Sequence, residues 1–310
     1  MTVTRARADD REGALARRSI AEEAAGTARG VLVTAFFAAI LALANLLQLL
    51  TLLLLPFSRR SFLRANTAIA RTLLSRLGGL AEWLHRLRVV ESGSPLPSAE
   101  SALVLVNHQC AIDINCVFSF AWRHQRLGEL RWFAKAPLAR VPGIGWGLRF
   151  LDTIFVTRAW EQDQRRIAEV FLRMRAAELP FWLLLFPEGA RQTPSKLAES
   201  RAHEAKRGLA PLRALMLPRT RGFVATLSQL RDRTDAVYDL TIAYPGGAPT
   251  LWALLSGFVR SVHLHVRRFP IAELPQSEPE LEAWLFERWR EKDELLVSFA
   301  AQGHFPENER

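Results

Sequence analysis

A histidine and an aspartate five positions apart, His108 and Asp113, have the side chains of a general base and its partner. On an unbroken helix the two would point about 140° away from each other, so they can meet only where the helix is interrupted. They follow the apolar run 102–107, and a strand-to-helix turn there can bring them together. Asp113 would then accept a hydrogen bond from one imidazole nitrogen and leave the other to take a proton from a hydroxyl. By itself, the same spacing also fits a structural polar pair.

Three further stretches place cations near apolar runs. Residues 181–185 lead into Phe-Pro-Glu-Gly-Ala-Arg, which contains Glu188 and Arg191. A second stretch, Phe-Val-Thr-Arg, ends at Arg158, and a third, Leu-Pro-Arg-Thr-Arg-Gly-Phe, covers residues 217–223. A carboxylate and a guanidinium at the carboxyl end of a strand lie where open α/β sheets bind ligands. Each stretch alone also fits a salt bridge beside a turn.

The elements that must position these residues alternate between short apolar runs and amphipathic stretches. The turn-rich stretch 91–97 precedes them, helical stretches such as 161–177 separate several runs, and 279–299 is typical of a closing helix. This alternation predicts an α/β fold with a mostly parallel sheet flanked by helices. The predicted strands are 102–107, 131–134, 153–157, 181–186, 238–244 and 262–266.

An uncharged, leucine-rich run covers residues 31–55. As one helix it would be about 37 Å long, enough to cross a bilayer core of about 30 Å with some tilt. Positive residues on both sides leave the orientation open, and they also fit a hairpin of two short helices that enters one leaflet and returns. A buried core helix is the alternative. A signal peptide fits poorly, because an acidic, mixed-charge stretch precedes the run.

The chain therefore divides into four predicted segments. They are a polar N-terminal tail (1–29), a membrane-embedded segment (30–58), a basic amphipathic helix (59–91) and an α/β catalytic domain (92–310). The amphipathic helix either lies on an anionic membrane surface or packs on the catalytic domain with its arginines in water. Its periodicity does not separate these two interpretations.

The composition indicates an anionic partner. The formal net charge is +10, nearly all of the basic residues are arginines, and arginine favours bidentate contacts with phosphate or carboxylate. Nucleic acid, an acidic membrane surface and a phosphorylated substrate all fit. Cys110 and Cys116 form no metal-binding pattern, and His263 and His265 have no third ligand nearby, so no metal site is predicted.

The order and spacing of these stretches resemble the glycerolipid acyltransferases, the family of 1-acylglycerol-3-phosphate and lysophospholipid acyltransferases. That family has an Asn-His-x4-Asp block, a Phe-x-x-Arg block, a Phe-Pro-Glu-Gly-Thr-Arg block and a proline-containing block, and all four occur here in order. Lys-Ala-Pro-Leu at 135–138 and Val-Pro-Gly-Ile-Gly-Trp at 141–146 are similar to the branch that includes lysocardiolipin acyltransferases. Two departures are Ala190 in place of the usual threonine, and Val-Thr in the second block where many members have Ile-Asp.

The resemblance implies a role for each motif residue. His108 would act as general base on a glycerol hydroxyl, and Asp113 would hold its tautomer. The hydroxyl oxygen would attack an acyl thioester directly, because the chain has no Gly-x-Ser-x-Gly motif. Arg191 would bind the phosphate of the acceptor. The other expected substrate-binding residues are Asn107, Lys135, Arg158, Glu188 and Gly189. No metal or bound cofactor is implied, and acyl-CoA or acyl carrier protein would be a co-substrate.

The implied activity is acylation of a lysophospholipid, with lysophosphatidic acid as the default acceptor and phosphatidic acid as the product. Lysocardiolipin, lysophosphatidylglycerol or another lysolipid is an alternative acceptor. A catalytically silent membrane protein that binds acidic lipids would not need the His-Asp pair. A membrane-tethered nucleic-acid binder is favoured only by the charge, since no nucleic-acid motif is present. We therefore expect membrane lipids and the two substrates as partners, at a bacterial inner membrane with the active site on the cytoplasmic face.

Overall fold

A seven-stranded sheet forms the centre of the computed structural model, which describes residues 19–85, 87–151, 153–157 and 159–306. The strands are β1 (Arg88–Gly93), β2 (Ala102–Val106), β3 (Leu130–Lys135), β4 (Ile154–Val156), β5 (Trp182–Leu185), β6 (Ala236–Ala243) and β7 (Ser261–Pro270). Their order is β1-β7-β6-β2-β5-β3-β4. Neighbouring strands are parallel, except that β6 and β7 are antiparallel. The prediction of a mostly parallel sheet flanked by helices is confirmed.

Helices cover both faces of this sheet. The helices of the described residues are α1 (Ile20–Thr51), α2 (Arg59–His85), α3 (Asp113–Arg123), α4 (Ile144–Phe150), α5 (Trp160–Ala177), α6 (Pro194–Lys206), α7 (Thr220–Leu230), α8 (Leu251–Leu255) and α9 (Glu278–Gln302). One core lies between the sheet and α3, where Val104 meets Phe120. The other lies between the sheet and the helices α5, α7 and α9, where Leu105 belongs to the same cluster as Trp289. Strands covered on both faces read as continuous apolar runs, as β2 does.

One strand lies where the sequence predicted a helix. The amphipathic segment was expected over 59–91, but α2 ends at His85 and β1 begins at Arg88. The segment Arg88–Gly93 contains two adjacent valines and pairs in parallel with β7. Valine favours a strand wherever a partner strand is present. That partner lies more than 170 positions further along the chain, so the helical periodicity of the preceding residues gave no sign of it.

The two N-terminal helices also differ from the prediction in extent and packing. Helix α1 begins at Ile20, inside the predicted polar tail, because Ser19 and Glu22 form a reciprocal capping box. Residues 1–18 of that tail lie outside the described residues. At the corner between the helices, Asn66 of α2 donates to the Thr51 hydroxyl of α1 at 2.8 Å. The two helices therefore form a hairpin.

Helix α2 packs on the catalytic domain along its described side chains. Phe62 is buried, and its ring lies 5.8 Å from that of Phe150. Arg71 forms an ion pair with Glu129 at 3.1 Å. Helix α2 therefore packs on the catalytic domain at these residues, and contact of its exposed arginines with a membrane surface stays a prediction.

Candidate active site

The carboxyl ends of β2, β3, β5 and β6 meet at one edge of the sheet, and the predicted residues gather there. β2 ends at Val106 and α3 begins at Asp113, so the intervening residues form the strand-to-helix turn that the spacing requires. On that turn the Nδ1 atom of His108 lies 2.9 Å from the Oδ2 atom of Asp113. The structure thus brings together the two side chains that the sequence singled out.

Asp113 is fully buried and is held by four donors, one of which is the Cys110 thiol, whose Sγ lies 3.6 Å from Oδ1. Besides His108, the backbone N–H of Cys110 donates to Oδ2 at 2.8 Å, and the Tyr244 hydroxyl donates to Oδ1 at 2.7 Å. Tyr244 was not predicted as a site residue. The only available signal was its place at the end of a predicted strand, since strands that end at one edge bring their following residues together.

The imidazole of His108 is positioned with one nitrogen available for chemistry. Its side chain is 13% exposed, and its ring stacks on Phe186 with the centroids 4.2 Å apart. Because Nδ1 faces the carboxylate of Asp113, Nε2 is the nitrogen that can accept a proton. No protein group among the described residues hydrogen-bonds Nε2. A buried carboxylate behind the ring favours the imidazolium that forms when a proton is taken.

Glu188 holds several loops of the site together. It is 3% exposed. Its carboxylate accepts from the backbone N–H of His108 at 2.8 Å, from that of Met216 at 3.2 Å and from the Gln192 side chain at 3.3 Å. Burial raises the pKa of this carboxyl to about 7, and these donors only partly offset that effect. Glu188 therefore fixes the position of His108.

Asn107, one of the expected substrate-binding residues, joins two strands of the sheet. Its side chain is fully buried. Its Nδ2 donates to the Ile242 carbonyl at 2.9 Å, and its Oδ1 accepts from the Ile242 N–H at 2.8 Å. Both polar atoms are used to join the ends of β2 and β6. Asn107 therefore positions the turn of His108, and its expected contact with the substrate stays a prediction.

The turn after β5 carries Gly189 and Arg191. Gly189 has φ of +69°, a conformation that favours glycine. The backbone N–H of Gln192 donates to the His108 carbonyl at 3.1 Å, which ties this turn to the base. Arg191 lies between them and its side chain is exposed. The predicted anion-binding arginine is therefore adjacent to the His-Asp pair along the sheet edge.

The structure places one of the other two predicted cations, Lys135, but not Arg158. Lys135 is exposed and is the last residue of β3, the strand beside β5, so it lies at the same edge of the sheet. Arg158 follows β4 in the chain, but it lies outside the described residues. The two histidines weighed as metal ligands lie on β7 against aromatic rings, His263 beside Phe299 and His265 beside Phe305. The described part of the chain contains no cluster of three or more side chains suited to hold a metal ion.

A base with an open nitrogen, backed by a buried carboxylate and flanked by exposed cations, is suited to activate a hydroxyl on an anionic substrate. On a mostly parallel sheet, this site defines the class of α/β acyltransferases with a His-Asp pair. The chain matches the model of the Acyltransferase family over residues 88–244 and that of the Acyltransferase C-terminus over residues 253–310. The chain belongs to the acyltransferase family, and it is an O-acyltransferase.

Relatives support this assignment, and one solved structure has a similar fold. The chain is 36% identical to "1-acyl-sn-glycerol-3-phosphate acyltransferase delta" of Bos taurus over 268 residues, which is 85% of this chain and 71% of that protein. It is 35% identical to "1-acyl-sn-glycerol-3-phosphate acyltransferase gamma" of Pongo abelii, over 84% of this chain and 71% of that protein. The fold is similar to the crystal structure of the 1-acyl-sn-glycerophosphate (LPA) acyltransferase PlsC from Thermotoga maritima. The TM-score is 0.52 and the identity 17%, over 88% of this chain and 98% of that one.

Proposed function

We propose that this chain transfers an acyl group from an acyl thioester to the free hydroxyl of lysophosphatidic acid, giving phosphatidic acid. The observation that carries the proposal is the His108 imidazole, which has Asp113 behind it at 2.9 Å, and the exposed Arg191 on the neighbouring turn. The names of the relatives support this acceptor. Acyl-CoA or acyl carrier protein supplies the thioester as a co-substrate, and the proposal needs no bound cofactor or metal.

In the proposed reaction, Nε2 of His108 takes the proton of the glycerol hydroxyl as the oxygen attacks the thioester carbonyl carbon. Asp113 keeps the imidazole in the tautomer with its proton on Nδ1 and stabilises the imidazolium. The tetrahedral intermediate then collapses, the carbon–sulfur bond breaks, and the departing thiolate receives the proton from His108. Glu188 and Gly189 shape the turn that carries Arg191, which binds the acceptor phosphate. Lys135 and Arg158 are proposed as further cations.

A panel of lysolipids tests this function. The purified chain is offered lysophosphatidic acid, lysophosphatidylglycerol and lysocardiolipin, each with acyl-CoA and with acyl carrier protein, and the products are identified by mass. We expect phosphatidic acid as the main product. Preferred acylation of another lysolipid would replace the acceptor in the proposal. Binding to anionic vesicles without turnover of any lysolipid would favour the silent lipid-binding protein instead.

Membrane association is indicated by the apolar helix at the N-terminus, which is long and apolar enough to cross a bilayer. Its polar residues Asn45 and Gln48 are buried, whereas many of its leucines are exposed. The helix contacts the catalytic domain at separate points, since Gly30 lies against Trp252 and Leu41 lies beside Gly143. If α1 crossed the bilayer, these separate contacts would pull part of the catalytic domain into the membrane. We therefore propose that α1 inserts into one leaflet only. The free thiols of the chain fit a bacterial inner membrane with the site on the reducing, cytoplasmic face.

Lysine substitutions on the outer face of α1 test the membrane attachment. Leu32 and Leu46 of α1, and Leu53 in the turn that follows it, are well exposed, so replacing all three with lysine should leave the fold intact. We expect the variant to sediment less with membranes and to be extracted by alkaline carbonate. The matched control places lysine at exposed positions of α6, namely Ala198, Ala202 and Ala205. Equal sedimentation of the two variants would reject α1 as the anchor.

A further inference from the structure

Arg219 lies at the edge of the active site without a role in the chemistry described so far. It is the residue that precedes α7, and its backbone N–H donates to the Pro187 carbonyl at 2.8 Å. Its side chain crosses Gly189, where a Cβ atom would stand 3.1 Å from its Cδ and 3.2 Å from its Nε. The absence of a side chain at Gly189 therefore leaves room for Arg219 beside the turn that carries Arg191.

The backbone that leads to Arg219 is anchored by the C-terminal helix. Asp293 of α9 accepts from three successive backbone N–H groups, those of residues 213–215, at 2.8, 2.7 and 2.9 Å. Trp289 donates to the Met216 carbonyl at 3.0 Å, and the Met216 N–H donates to Glu188 at 3.2 Å. Because Glu188 also holds His108, Arg219 is carried on a backbone whose position relative to the base is fixed.

The guanidinium groups of Arg191 and Arg219 are both exposed, and neither has a hydrogen bond or ion pair with any residue that the structure describes. The charge of Arg219 does reach Glu199, whose pKa is lowered chiefly by its hydrogen bond to Lys196 at 2.6 Å. That carboxylate thus has its own partner. An anion bound beside this turn would meet two guanidinium groups whose hydrogen-bond donors are not used by the described residues.

We propose that Arg219 is a second cation for the phosphate of the acceptor, and that Arg191 and Arg219 together select lysolipids with a terminal phosphate. This inference rests on the proposed function. A phosphate monoester presents three terminal oxygens and nearly two negative charges, whereas the diester of a larger head group presents two oxygens and one charge. Two guanidinium forks match the monoester better, because each fork binds a pair of oxygens.

Steady-state kinetics of Arg219→Gln test the proposal, with Arg221→Gln as the matched control. Arg221 is also exposed and lies two residues further on, in the first turn of α7. Both variants therefore lose one positive charge from the same part of the protein surface. We expect Arg219→Gln to lower kcat/KM for lysophosphatidic acid about tenfold or more, mainly through KM, since hydrogen bonds to charged groups are the strong ones. Its activity on lysophosphatidylglycerol should fall less, so the preference between the two acceptors narrows. Arg221→Gln should match the wild type.

Other outcomes overturn the proposal. Equal kinetics for the two variants would show that Arg219 does not contact the acceptor. A rise in KM confined to acyl-CoA, absent with a phosphate-free acyl-pantetheine donor, would assign Arg219 to the phosphates of the donor. If Arg219→Gln lowered kcat/KM equally for lysophosphatidic acid and lysophosphatidylglycerol, Arg219 would have no part in selecting between these acceptors. Arg219→Lys, which keeps the charge but not the fork, serves as a second variant, and thermal melts check that each is folded.

The two proposals fail in different ways. If the wild type acylates another lysolipid but not lysophosphatidic acid, the proposed function is wrong. If the wild type acylates lysophosphatidic acid while Arg219→Gln keeps its acceptor preference, only the role of Arg219 is wrong.

Discussion

Two groups of buried carboxylates, at the carboxyl edge of the sheet and on the face covered by α9, are neutralised in opposite ways. At the carboxyl edge, Asp113 and Glu188 are held by backbone N–H groups, a phenol, an amide and an imidazole. On the face covered by α9, Asp239 pairs with Lys292 at 2.7 Å and with Arg267 at 2.6 Å. Burial alone would raise the pKa of Asp239, but these two cations hold it below its ordinary value.

The two groups differ in role: the edge residues serve the reaction, and the Asp239–Lys292 pair stabilises the fold. Lys292 is completely buried, and its Nζ also donates to the carbonyls of Leu240 at 2.6 Å and Leu105 at 3.3 Å. It joins β2 to β6 immediately before the residues of the active site. Cations cancel the charge of Asp239 inside the protein, whereas the cations at the active edge, Arg191 and Arg219, have no partner among the described residues and remain available to a ligand. We therefore expect substitutions at the edge to reduce turnover, and substitutions at Asp239 or Lys292 to reduce stability.

The largest expected effect is on turnover at the edge. His108→Ala removes the base, and general-base contributions are about 10²–10⁴-fold in rate. Asp113→Asn keeps the size of the side chain but favours the wrong imidazole tautomer, so it should also be severely impaired. The measurement is turnover of the preferred lysolipid, with a thermal melt of each variant. His203→Ala, at an exposed position of α6, is the control. A folded His108→Ala protein with wild-type turnover would refute the mechanism.

The next effect is on stability, at the other region. Lys292→Met should lower the free energy of unfolding by about 3–5 kcal/mol, because it leaves Asp239 with only part of its neutralising charge. Chemical denaturation in detergent micelles measures this, and turnover per folded molecule should change far less than in His108→Ala. The double variant Lys292→Met/Asp239→Asn should recover part of the loss. Unchanged stability in the single variant would contradict the structural role of the buried pair.

The sequence predicted most of the sheet, because strands such as β2 and β5 are continuous apolar runs bounded by turns, a local signal. It also predicted that His108 and Asp113 meet, because their spacing admits contact only across a strand-to-helix turn. β1 was missed because its pairing with β7 joins distant parts of the chain.

Residues that depend on tertiary placement were not predictable. Lys292 reads as a surface lysine on an amphipathic helix, and only the position of α9 against the sheet buries it. Tyr244 directly follows β6 and Arg219 lies in the loop before α7. The motif at 217–223 marked the stretch that contains Arg219, but it did not show which of its two arginines lies beside Gly189. Asn107 was expected at the substrate because it lies within the motif, and the hydrogen bonds between its amide and the end of β6 could not be predicted from that motif.

The comparison also predicts opposite pH dependences. The pKa of Glu188 is raised from 4.5 to about 7, so between these values the folded protein keeps a proton that the unfolded chain releases. Stability therefore falls as pH rises through this window, by at most about 3 kcal/mol. Asp239, whose pKa is lowered from 3.8, contributes stability above 3.8 that is lost on acidification through its folded-state pKa. The measurement is the unfolding free energy across this pH range. In Glu188→Gln, the fall in stability between pH 4.5 and 7 should disappear. An unchanged slope in this variant would exclude a buried, titrating Glu188.

The smallest expected effect is on kcat, and it comes from removing one of the hydrogen-bond donors to Asp113. Tyr244→Phe removes the hydroxyl that donates to Oδ1 of Asp113 at 2.7 Å. The ring is kept, so only one oxygen atom is lost from the packing. Asp113 retains its contacts with His108 and Cys110. A hydrogen bond to a charged group contributes about 1.5–3 kcal/mol, so kcat should fall by roughly tenfold while KM for the lysolipid stays close to that of the wild type. Steady-state kinetics at saturating donor measure both constants, and Tyr238→Phe, at the buried phenol that contacts Glu100 away from the site, is the matched control. A kcat equal to that of the control would mean that the remaining donors hold Asp113 in place.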